Sequence, residues 1–173
     1  MNHTENPTAL QSQKWILQAL LDLMQENSYV KISVSEICRK AGLDRRTFYR
    51  NFSSKQDVLE HYVELLKREY MIEFCKIDHA DKYSATLMFF NFWEKHLSFI
   101  RNIQNCGLSN FVFDQFTKFS GEQQELLSNI ENDKKADYIL AFRIGGFWNV
   151  MVTWAADPTN SSPKELAAII SQL

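Results

Sequence analysis

The stretch SVSEICRKAGLDRRTFYRNFSSKQDVL, residues 33–59, decides how this chain is read. Its centre, RRTFYRNF over residues 45–52, sorts its side chains by type when wound at about 100° per residue. Phe48 and Phe52 fall on one face, Arg46 and Arg50 point away from them, and Thr47 and Tyr49 flank the outer face. A short helix rooted by two phenylalanines and presenting guanidiniums, a phenol and a hydroxyl has the chemistry to enter a DNA groove. Arg forks onto guanine edges or phosphates, and Tyr and Thr donate to phosphate oxygens.

The flanks supply the punctuation. Ser33 and Ser35 are helix-start residues, and Val34, Ile37 and Ala41 recur at helical spacing. Gly42 can take the left-handed backbone that ends a helix, Leu43 turns into the core, and Asp44 can cap the next helix. The segment predicts a helix, a tight glycine turn and a second helix with a basic face. Beyond Phe52, Ser53 and Gln56 stand at capping-box spacing for a further helix, and Ser54 with Asp57 offers the same pairing.

This ordered combination resembles the DNA-binding domain of the TetR family of bacterial transcriptional regulators, over about Trp15 to Leu66. The resemblance implies an all-α fold, with a three-helix helix-turn-helix DNA-binding domain at residues 1–53 and a helical ligand-binding and dimerisation domain at 54–173. It further implies a homodimer on a palindromic double-stranded DNA operator, a small-molecule effector, repression as the commoner outcome, and no cofactor. Arg46 and Arg50 are expected on bases or phosphates, with Arg45, Thr47, Tyr49 and Asn51 in support and Ser33 and Lys55 holding the DNA backbone. Tyr49 and Lys55 occupy positions at which the family commonly touches phosphate, whereas Arg45 and Arg46 stand where smaller residues are often seen, which alters the expected base preference. A second likeness lies at YILAFRIGGFWNVMVTW (138–154) and SSPKELAAII (161–170), which look like the closing helices of a subgroup that includes activators of dihydroxyacetone kinase operons. That likeness motivates an alternative in which a partner protein, rather than a metabolite, switches the body.

Charge distribution agrees with a nucleic-acid head. The net charge is only −2, but residues 1–56 hold eight basic and five acidic side chains, net +3, and residues 57–173 hold eleven and sixteen, net −5. A basic head on an acidic body favours one end facing phosphate. Hydrophobic residues make up 45% of 173, ample for a buried core. An enzyme is disfavoured, because there is no phosphate-cradling glycine loop, nucleophile elbow or carboxylate pair, and only five glycines in all.

Three widely spaced cysteines, Cys38, Cys75 and Cys106, and a polar opening MNHTENPT without an apolar signal core fit a reduced, cytoplasmic compartment. Cys75 and His79 lie four apart, half of a metal site that no further Cys or His completes. The run from Ile139 to Ala156 has the length of a membrane span, but Arg143, Asn149 and a glycine pair interrupt it, so it reads as a buried helix and no membrane partner is expected.

Helical patterning organises the rest. Helix one is expected from Thr8 to Glu26 with Ile16, Ala19, Leu20 and Leu23 as its core stripe, and helix four from Ser54 to about Lys76. IDHADKY is a connection, an aromatic helix spans Tyr83 to Gln104, and Asn105 to Gly107 breaks the chain. A second aromatic helix carries Phe111, Phe113, Phe116 and Phe119, with Gly121 bending or interrupting it before Glu122 to Ile130. Two last helices, Asp133 to Ala156 and Pro163 to Gln172, flank the turn DPTNSS, with Ser162 as a cap and Pro163 in the first helical position. Tyr70, Tyr83, Phe89, Trp93, His96 and Phe113 are candidates to line an effector pocket, although aromatics at helical spacing more often fill an ordinary core. In proteins that resemble this one the two late helices pair with their symmetry mates. Gly145 and Gly146 would permit close approach and Phe147, Trp148, Met151 and Trp154 would anchor it, or else those four close the core of the monomer.

Overall fold

The computed structural model of the chain describes residues 7–77, 81–127 and 134–173, with side chains described over 8–77, 81–120 and 137–173. Every regular element among them is helical: α1 (Pro7–Glu26), a 3-10 turn (Tyr29–Lys31), α2 (Val34–Ala41), α3 (Arg45–Asn51), α4 (Lys55–Phe74), α5 (Lys82–Glu94), α6 (Leu97–Asn105), α7 (Ser109–Leu127), α8 (Lys134–Ala156) and α9 (Pro163–Ile170). The chain forms two compact units that divide inside α4, after Leu66. Val58, Leu59, Val63 and Leu66 are buried on the part of α4 that belongs to the first unit.

The first unit packs α1, α2 and α3 against one another. The stripe on α1 buries Ile16, Ala19 and Leu20 as the spacing predicts, and continues through Met24, with Leu23 only half-buried. Ile32, Ile37, Cys38, Phe48 and Phe52 complete this core. Burial raises the Cys38 thiol above its ordinary value, as expected of a small buried side chain.

In the second unit α9 packs on α5, and α8 packs on α6 and α7. The aromatic stretch is two helices rather than one: α5 stops at Glu94, and His96 becomes the N-cap of α6. Gly107 takes φ +69° after α6, where the sequence marks a break. α7 runs through Gly121 without interruption to Leu127, and the rest of the expected segment to Ile130 lies outside the described residues. His79 does too, so the Cys75–His79 pairing is not described; no group of three metal-ligating side chains occurs among the described residues.

The anchors expected at a dimer face lie inside the protomer. Trp148, Met151 and Trp154 are buried, and Phe147 packs against Phe89 with ring centroids 4.8 Å apart. The Trp154 indole N–H donates to the Ser161 carbonyl at 2.8 Å, tying the end of α8 to the turn before α9. Positions 147, 148, 151 and 154 share one helical face, and that face belongs to the core. The opposite side of α8 is exposed: its first half is apolar, with Tyr138 78% and Phe142 77% accessible beside Ile139, and beyond Gly146 it carries the polar Asn149 and Thr153. The segment Asp137–Ala156 therefore has the length and hydropathy of a membrane span with only 28% of its most apolar window buried, so the buried helix expected is buried on one side alone.

Candidate nucleic-acid interface

Three local devices build the helix-turn-helix. Ser33 and Glu36 form a capping box: the Glu36 backbone N–H donates to Ser33 Oγ at 3.2 Å, and the Ser33 backbone N–H donates to Glu36 Oε2 at 2.8 Å. Gly42 ends α2 in the left-handed region at φ +67°, and the Leu43 N–H donates back to the Cys38 carbonyl at 3.0 Å. Asp44 then caps α3, accepting from the Thr47 N–H at 2.6 Å. These backbone hydrogen bonds hold the Glu36 and Asp44 carboxyls below the ordinary carboxylate range.

Phe48 roots α3. It is fully buried, stands edge-on to Tyr49 at 5.4 Å, and reaches Phe52, the extended residue just past the helix end, at 6.2 Å. With that face anchored, Arg45, Arg46, Tyr49 and Arg50 are exposed on the other side. Among the described residues no ion pair or side-chain hydrogen bond engages the Arg46 or Arg50 guanidinium. Arg45 leans over the Tyr49 ring at 5.8 Å, its Nη2 3.5 Å from the phenol oxygen, a marginal hydrogen bond. Thr47 is half-buried, and the Asn51 amide donates to the Thr47 carbonyl at 2.8 Å, so part of its donor capacity is spent within the helix. The Ser33 hydroxyl donates to Glu36 at 2.7 Å and remains exposed.

Lys55 behaves differently from the expectation of a phosphate contact. Its ammonium donates to the carbonyls of Tyr29 at 2.6 Å, Ile32 at 2.7 Å and Val30 at 3.2 Å, and sits 4.5 Å from the Tyr29 ring centroid. Burial pulls its pKa down, and the Glu36 carboxylate partly opposes that. All three ammonium hydrogens are committed to the turn between α1 and α2, a partnership 23 to 26 residues away that sequence spacing does not reveal. At the start of α4 both serines cap through Asp57: the Asp57 N–H donates to Ser54 Oγ at 3.1 Å, and the Asp57 carboxylate accepts from the Ser53 backbone N–H at 2.7 Å, while Gln56 turns to Glu60. Lys31, Arg39 and Lys40 are further exposed cations on this unit, and no motif in the sequence marks them for a role. The Lys40 ammonium lies 4.0 Å from the Asp22 carboxylate.

The residues expected to line an effector pocket are partly gathered together. Tyr70, Phe89, Trp93 and His96 belong to one aromatic cluster, with Tyr70 edge-on to Phe89 and Trp93 6.2 Å from His96. Burial pushes the Tyr70 phenol up, so it stays protonated. Tyr83 is exposed near the start of α5, and Phe113 contacts Trp148 instead.

Similarity to known proteins falls along the same division. Residues 16–62 match the family model described as bacterial regulatory proteins, tetR family, and residues 81–173 match that of a transcriptional regulator C-terminal region. The HTH-type dhaKLM operon transcriptional activator DhaS of Lactococcus lactis subsp. lactis (strain IL1403) is 32% identical over 136 residues, 73% of this chain and 65% of the relative's length. Among solved structures, the dihydroxyacetone kinase operon activator DhaS matches with TM-score 0.59 and 20% identity, over 93% of this chain and 92% of that one. Lin0861 from Listeria innocua matches with TM-score 0.81 and 16% identity, over 99% and 93%. The fatty acid degradation regulator FadR from Bacillus halodurans matches with 0.63 and 14%, over 98% and 95%. At these identities the structures speak for the fold alone. Together with the helix-turn-helix geometry, the two family models covering the head and more than half of the chain beyond it establish that this chain belongs to the tetR family of bacterial regulatory proteins.

Proposed function

We propose that the chain is a homodimeric regulator that sets the α3 helices of its two copies into successive major grooves of a palindromic operator in the cytoplasm. The observation that carries this reading is the exposed pair Arg46 and Arg50, with Tyr49 beside them, on a helix whose opposite side is fully buried through Phe48. Replacing Arg46 or Arg50 by Ala is expected to cost about 1–3 kcal/mol of specific binding. The test is fluorescence anisotropy against an operator selected from random duplexes at fixed salt. Full affinity in both variants would remove the assignment. The relative's printed role as an activator favours activation over repression here, and a reporter driven by the selected operator decides the sign.

The second copy docks on the outer face of α8. Tyr138, Phe142, Asn149 and Thr153 succeed one another at helical spacing, and a Cβ added to Gly145 or Gly146 meets nothing within 4 Å. A two-fold crossing at the glycine pair sets Phe142 of each copy opposite Asn149 of the other, beside a groove of about 300 Å3 lined by Asn149, Thr153, Trp154 and Leu166. A small molecule held in the second unit controls the regulator. It does so only if it prefers one arrangement of the dimer over another.

A further inference from the structure

Two ring nitrogens in the second unit are buried without a hydrogen-bond partner: Trp93 Nε1 near the end of α5 and His96 Nε2 at the start of α6. Trp93 is 4% exposed. An indole N–H taken from water and left unpaired forfeits its hydrogen bond with nothing in return, so a native core rarely keeps one without a reason. Here the rings lie 6.2 Å apart; Phe89, Phe92 and Phe116 stand around Trp93 at centroid distances of 6.3, 5.3 and 6.1 Å, and Phe92 also meets His96 at 4.8 Å. Aromatic side chains with a few polar atoms aimed among them are the usual lining of a small-molecule site, and it is the two unpartnered nitrogens that set this cluster apart from an ordinary apolar core.

The surrounding charges narrow the ligand. Glu69 Oε1 lies 3.8 Å from His96 Nε2, too long for a hydrogen bond but close enough to favour the proton on Nε2, which makes that atom a donor like Trp93 Nε1. The same carboxylate repels an anion. A cation is disfavoured by the two N–H groups and by Lys95, whose charge also acts on His96. What remains is a neutral molecule with an apolar body and an oxygen acceptor.

We infer that Trp93 and His96 form the polar end of a ligand site for an uncharged, compact apolar molecule carrying a carbonyl-type acceptor. The inference rests on the proposed effector control and names the chemistry that effector must have. The indole N–H donates to the carbonyl oxygen, His96 Nε2–H donates to the same oxygen's second lone pair, and the phenylalanines enclose the hydrocarbon.

The experiment uses the full 15N-labelled chain and cyclohexanone as the probe, with methylcyclohexane as the shape control. The Trp93 indole resonance is assigned from Trp93→Phe, or by elimination from the variants of Trp15, Trp148 and Trp154 if that variant does not fold. The expected result is a saturable downfield shift of the Trp93 indole proton with the ketone and none with the hydrocarbon. His96→Leu then weakens ketone binding by about tenfold, the effect of one lost hydrogen bond. An unmoved Trp93 resonance overturns the inference, as does an indole proton that exchanges magnetisation with a trapped water and ignores the ketone. Operator affinity is measured alongside. A ketone that binds without changing it leaves this site standing and sinks the effector reading, whereas release from DNA by some other metabolite with Trp93 silent does the reverse.

Discussion

Replacing Lys55 by Met removes three donors while keeping most of the aliphatic stem, and separates a positioning role from a DNA contact. Two of the three carbonyls that lose their partner, those of Tyr29 and Ile32, are part-buried, and the third, Val30, is exposed and rehydrates. A hydrogen bond to a charged group contributes about 1.5–3 kcal/mol when buried, and less where water can replace it, so the two part-buried bonds together give about 2–3 kcal/mol. That is a large share of the ~5–15 kcal/mol that holds a domain together. Urea unfolding followed by hydrogen exchange of the α1–α3 amides reads the first unit alone, since the chain has two units and one global midpoint would mix them. The expected result is a lowered opening free energy in α1–α3, with the slope of log affinity against log salt unchanged once folding is saturated. An unaltered opening energy together with a salt slope smaller by about one would show that Lys55 neutralises a phosphate, and the positioning argument would be wrong.

The same geometry sets other outcomes. Phe142→Glu is expected to convert the protein to monomers in sedimentation without loss of helicity, because its ring is exposed in the protomer; an intact dimer would place the interface elsewhere. Gly42→Ala forces a Cβ into φ +67° and is expected to destabilise the first unit by about 1 kcal/mol in urea unfolding, although the added atom meets no neighbour within 4 Å. The Glu36 and Asp44 carboxyls titrate below their ordinary values of 4.5 and 3.8, so their capping contribution is present above those values and lost as pH falls through the lower folded ones. Glu36→Gln combined with Asp44→Asn should therefore flatten the acid limb of the stability curve, measured by thermal melts between neutral and acid pH.

How far the sequence can be read depends on whether the signal is local. Ser33, Gly42 and Asp44 each act within four residues, and the helix-turn-helix grows from them directly. The break between α5 and α6 is not legible, since Lys95 and His96 carry no turn preference and the apolar residues continue on both sides. α8 is apolar nearly all round, so periodicity cannot say which face meets the core: Trp148 and Trp154 go inward and Phe142 outward. Lys55 escapes a sequence reading for a related reason. Its partners come from the turn before α2, and nothing at residue 55 announces them.

The brevity of α3 has a bearing on how variants of this regulator should be scored. Seven residues are two turns, well under the length at which a helix persists unaided, so its order is borrowed from the Phe48 root and the Asp44 cap. The apparent dissociation constant then equals the intrinsic one divided by the fraction of heads in which that segment is wound. A genetic screen for lost promoter control would return substitutions at Phe48 alongside those at Arg46, and only a binding curve extrapolated to full order would tell a weakened grip from a frayed finger.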